Sequence, residues 1–248
     1  MNELKEILQA SVRGPAALRE WMQTHTDQVT VDLADAVYAQ AKPRLEAGRL
    51  NEAAVLYFTA MTLYRTTGPQ EQALRAAFNY LQCTYMAAET VPAYEDVRTK
   101  LLTIGKHAAN AHQAEIAFNC FVVAADSAFC AADLSQGAAD WVFKSLGDLR
   151  NAAGVAAPPL GPAQLQLYTN VVANLWVLAR KADWGTNAAA AEGLLGSLAA
   201  EAERLVPIGF TLPNDPQKTQ FVADNLADLS DEYGNPNNAG TRRAAAHR

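Results

Sequence analysis

One spacing occurs twice along this chain. Gly48, Ala53, Tyr57 and Ala60 follow the pattern G-x4-A-x3-Y-x2-A, and His112, Ala117, Phe121 and Ala124 follow it again with His for Gly and Phe for Tyr. Small residues at this spacing let two helices approach closely, the aromatic fills the gap between successive pairs, and the glycine ends the preceding helix. A chain that repeats such helix-turn-helix units presents an extended surface rather than a pocket of reacting groups.

Composition points the same way. Hydrophobic residues make up 50% of the 248 positions but aromatics only 8%, and alanine, dominant from Ala87 to Ala202, supplies the difference. Alanine is the best helix former, β-branched residues are scattered, and two-residue hairpin turns are missing. The expected class is all-α, as one helical-repeat domain over 1–233 with a disordered tail over 234–248.

A formal charge of -6 argues against a nucleic-acid surface, and the basic cluster Arg242, Arg243 and Arg248 falls in that tail. Cys83, Cys120 and Cys130 are an odd number set in apolar stretches, which fits a reducing compartment rather than a disulfide framework. Residues 1–8 lack the apolar core of a signal peptide, and no run approaches a membrane span. The expectation is a cytoplasmic protein with no membrane partner.

Breakers set out the helices. Gly14-Pro15 divides two short N-terminal helices. A longer one runs from Val31 to Ala47, where Gly48 stops it, and the next spans Asn51 to Thr66 before Gly68-Pro69. Further helices read from Gln70 to Glu89, Tyr94 to Ala111, Ala114 to Ala132 and Gln136 to Ala153. Gly154 to Pro162 reads as an extended, hinge-like linker. Beyond it the periodicity predicts helices over Ala163 to Ala182, Ala188 to Leu205 and Gln217 to Tyr233, the last a capping helix.

The two matched segments resemble the tetratricopeptide repeat, whose antiparallel helix pairs of about 34 residues stack into a superhelix. In the second copy Leu101, Ile104, Gly105 and Ala108 stand at the spacing of the family's first helix, before His112 as the turn residue. In the first copy Gln40 and Arg44 replace large apolar and aromatic residues, with Tyr38 and Leu45 one place along, and Pro43 sits inside the helix. Gly48 to His112 is 64 positions, a little short of two family repeats. The resemblance implies antiparallel pairs stacked as a degenerate α-solenoid with about 9 to 11 helices, longer than the family norm.

In such repeats the first helix of each pair lines a concave face that takes a peptide or a partner's helix. By the matched spacing, the residues placed there are Tyr38 and Lys42 in the first copy and Leu102, Lys106 and Asn110 in the second. Two lysines at equivalent positions suit an acidic peptide or a terminal carboxylate. The Lys, Asn and Arg set with which some members clamp an acidic C-terminus cannot be assembled.

No catalytic set emerges: there is no GxSxG elbow, glycine-rich phosphate loop or Cys-His motif. His107 and His112 are five apart and turn to different faces, so no metal or cofactor is expected. Asp126, Asp133 and Asp140 recur every seven residues as a solvated stripe, and Trp141, Trp176 and Trp184 read as core residues, with Trp184 the most exposed. The expected function is a non-catalytic adaptor or scaffold that binds a protein or peptide partner along a groove. Two other readings are a structural subunit of an oligomeric assembly and a ligand-sensing regulatory domain hinged near Pro158.

Overall fold

The computed structural model describes residues 2–135, 139–155 and 161–181, together with 193 and 196. Among these residues every regular element is an α-helix: α1 (Asn2–Arg13), α2 (Pro15–Thr24), α3 (Val31–Glu46), α4 (Leu50–Thr67), α5 (Gln70–Met86), α6 (Val91–Asn110), α7 (Ala114–Leu134), α8 (Ala139–Val155) and α9 (Pro162–Lys181). The expected helices over 188–205 and 217–233, Trp184 and the tail over 234–248 lie outside the described residues. Gly154 and Val155 belong to α8 rather than to a linker, and Pro162 opens α9, where a missing amide costs no hydrogen bond.

The chain divides into two compact units, Met1–Glu89 with Asp96–Val123, and Thr90–Glu95 with Ala124–Arg248. In the first, α4 is the central element. It packs on α3 and α5 and also touches α1. A helix covered on several sides must be apolar nearly all round, and α4 buries Ala53, Leu56, Tyr57, Thr59, Ala60, Met61, Leu63 and Tyr64. Alanine does what its spacing requires, since Ala53, Ala60, Ala117 and Ala124 are all 0% exposed.

The two matched turns close in the same way. The amide of Gly48 donates to the Leu45 carbonyl (2.9 Å) and that of Arg49 to Arg44 (2.8 Å). At the second turn His112 donates to Ala109 (3.0 Å) and Gln113 to Ala108 (2.8 Å). Both are Schellman closures, which need a left-handed residue, and Gly48 and His112 have φ of 72° and 58°. Thr30 caps α3 by accepting from the Leu33 amide at 3.2 Å.

In the second unit α8 packs on α9. Ser145 of α8 donates to the Ala125 carbonyl of α7 at 2.6 Å inside that core. Lys144 sits 3.8 Å from the centre of the Trp141 ring and 3.7 Å from the Glu95 carboxylate. Trp141 is half-buried. Contrary to the expectation that no run approaches a membrane span, α7 is long and apolar enough to cross a bilayer by length and composition, with 67% of its apolar window buried inside the protein.

Candidate functional site

The faces of α3 and α6 carry the five residues placed by spacing. Tyr38 is half-buried and faces inward: its ring meets Tyr57 edge-on at 5.2 Å and Tyr64 at 6.4 Å, and its hydroxyl accepts from Asn79 Nδ2 of α5 at 2.6 Å. Tyr64 completes the cluster by donating to Asp35 Oδ1 at 2.5 Å. Burial raises all three phenols above their ordinary range. Tyr57 is pushed up to about 12 by burial first and then by Tyr38, Cys83 and Glu46. Tyr64 rises through burial and its hydrogen bond to Asp35, whereas for Tyr38 the effects of Arg75 and Asn79 partly offset burial. The cluster ties α3, α4 and α5 together, which makes Tyr38 a packing residue.

Lys42 is exposed, 3.9 Å from Glu46 one turn on. Lys106 and Asn110 are exposed on α6, and Leu102 is half-buried. The structure does not bring the two lysines together. A recess of about 260 Å³ at the α4–α5 turn is lined by Arg65, Gly68, Gln70 and Leu74 together with His107, so the C-terminal end of α6 lies at that turn. Lys42, near the end of α3, lies instead by the α3–α4 turn. These turns are the two ends of α4, whose 18 residues span about 27 Å.

The reason is the direction of the helices. Arg75 near the start of α5 is 3.8 Å from Glu115 at the start of α7, so those helices begin at the same end, and α6 runs back between them. Only α4 and α5 lie between α3 and α6, so the first helices of the two matched copies point opposite ways. The copies share a turn, but they are related by a reversal rather than by the translation of a regular array. The expected near-equivalence of Lys42 and Lys106 is corrected on this ground.

Cys83 and Cys120 are buried, and burial pushes their thiols up to about 11 and about 12. Asp126 and Asp133 lie on α7 and Asp140 on α8, so the seven-residue series does not run along one helix. Among the described residues no group of three or more His, Cys, Asp or Glu is placed to hold a metal ion.

A cleft of about 390 Å³ that the spacing arguments missed opens between the α1–α2 turn, α4 and α5. The turn contributes Ser11, Val12, Gly14, Pro15 and Leu18. From α4 come Asn51, Ala54, Val55, Phe58 and Thr59, and α5 adds Tyr80 and Thr84. Phe58 and Tyr80 meet edge-to-face at 5.5 Å. Deep in it, Ser11 donates to the Ile7 carbonyl at 2.7 Å, and Thr59 Oγ1 lies 2.8 Å from both Ser11 Oγ and the Val55 carbonyl. The available signal was two hydroxyl residues, Ser11 and Thr59, at positions where helical periodicity demands apolar ones.

Comparison with protein-family models, with curated proteins and with solved structures gave no match.

Proposed function

We propose that the chain is a non-catalytic adaptor or scaffold whose helix-turn-helix units, similar in their turns to tetratricopeptide repeats, hold a protein or peptide partner. One observation carries this reading: both matched turns close identically above alanines that are fully buried. Short side chains are thereby spent on helix contact, and the exposed polar residues of α3 and α6 remain as the recognition surface. The buried, hard-to-ionise thiols of Cys83 and Cys120 suit a structural role in a reducing compartment such as the cytoplasm.

Lys42 at one end, and Lys106 with Leu102 and Asn110 at the other, act as two separated contact points, with Tyr38 packed beneath the first. A partner engaging both has to be extended along the unit. The test is affinity capture by the immobilised full chain from native extract with mass-spectrometric identification, repeated with Lys42→Glu and Lys106→Glu. Loss of the same partner from either variant, at an unchanged thermal midpoint, supports the surface. Capture that survives both substitutions rejects it.

A further inference from the structure

We propose that the cleft between the α1–α2 turn, α4 and α5 is a binding site for a small uncharged molecule with an aromatic or aliphatic body and one hydrogen-bonding group. The cleft is half-open: Thr59 and Leu18, 0% and 1% exposed, lie beneath its floor, while Val12 at the rim is 81% exposed. Its volume of about 390 Å³ lies within the roughly 300–1,000 Å³ usual for small-molecule sites.

The chemistry of the walls selects the ligand. None of the twelve lining residues carries a formal charge at neutral pH, so an ion entering the recess loses water and gains no counter-charge. The hydroxyls of the lining are already committed: Ser11 donates to Ile7, Thr59 reaches the Val55 carbonyl, and half-buried Thr84 donates to the Tyr80 carbonyl at 3.0 Å. Two polar side chains of the lining, Asn51 and the hydroxyl of Tyr80, make no hydrogen bond among the described residues and are available to one polar head. The Phe58 and Tyr80 rings form a wall suited to a flat apolar body. At the mouth, Gly14 turns the chain with φ 110° and Pro15 opens the first turn of α2.

This site is independent of the lysine surfaces on α3 and α6 and stands or falls separately from them. The test uses the purified full chain and two fluorescent probes that share a ring skeleton, neutral N-phenyl-1-naphthylamine and anionic 1-anilinonaphthalene-8-sulfonate. Saturable one-to-one binding of the neutral probe is expected, at least tenfold tighter than the anion. Ala54→Phe, which fills the recess from α4, is expected to weaken the neutral probe at least tenfold. Asn51→Trp, at an exposed position in the first turn of α4, covers the mouth without disturbing the core and is expected to do the same. Equal affinity for the two probes, absence of saturable binding, or neutral-probe binding that survives Asn51→Trp in a folded protein overturns the assignment.

Discussion

At position 112 a histidine holds a backbone conformation that glycine would adopt at no steric cost. Its φ of 58° places it in the left-handed region, where an L side chain costs roughly 1–2 kcal/mol. His112→Gly is therefore expected to raise stability by up to about 1 kcal/mol, the greater freedom of glycine in the unfolded chain cancelling part of the gain. Urea unfolding checks it, and a lowered midpoint would count against the turn geometry. Gly105 is the opposite case. It is needed for closeness, not for its backbone angles: a Cβ there would stand 2.9 Å from Phe121 Cε1 and 3.1 Å from Cys120 Cβ. Gly105→Ala should push α6 off α7 and destabilise the fold by about 1–3 kcal/mol, measured in the same titration.

The buried phenol and thiols link stability to pH. Tyr57, Cys83 and Cys120, pushed up to about 12, 11 and 12, keep their protons in the folded chain at pH values where the unfolded chain has released them. The unfolded state then binds fewer protons, and stability falls as pH rises. Urea midpoints are expected to stay flat up to about pH 7.5 and to decline from about pH 8, where unfolded thiols begin to ionise, toward pH 12. Cys120→Ala should make the decline shallower. A midpoint unchanged between pH 8 and pH 11 would contradict the burial of these groups.

Among the elements, α3 carries the clearest conflict between local sequence and fold. Pro43 lies inside it, exposed and one turn from its end, and has no amide to donate to the Ala39 carbonyl. The helix nevertheless continues to Glu46 and closes on Gly48, because Leu33, Ala34, Val37 and Ala41 bury one face of it. Tertiary burial outweighs the local penalty. Pro43→Ala should stabilise the protein by about 1 kcal/mol or more, which calorimetry can read as a rise in thermal midpoint. Helix positions were legible because glycine, proline and polar caps punctuate the chain, so α3 and α4 begin or end within a residue or two of their expected bounds. The count of helices between the two matched copies was not. Sixty-four positions suggest nearly two family repeats, but α4, α5 and α6, at 18, 17 and 20 residues, use up that length with an odd number of elements between equivalent turns. The motif encodes how one helix turns into the next, and carries no information on direction.

For the whole molecule, direction decides which surfaces can act together. With Lys42 and Lys106 at opposite ends of α4, their contributions to partner binding should be independent. The double variant Lys42→Glu/Lys106→Glu is expected to lose the sum of the two single losses, within about 0.5 kcal/mol, as distant sites do. Titration of the identified partner against the four forms measures this. A double variant no worse than the singles would mean that the lysines serve one compact contact, contrary to the reversed orientation of α3 and α6. The cleft illustrates the same dependence on assembly. Ser11, Asn51, Thr59 and Thr84 come from three helices and share no spacing, so no motif announces them.

From the order of residues alone came the helical class, the turns at Gly48 and His112, and the burial of Ala53, Ala60, Ala117 and Ala124. These depend on interactions within a few residues, between backbone angles, caps and side chains one turn apart. The inward role of Tyr38, the separation of Lys42 from Lys106 and the neutral recess beside Thr59 were decided only by the packed structure. Each depends on which helices lie side by side and in which direction, a property of long-range burial that short-range periodicity does not encode.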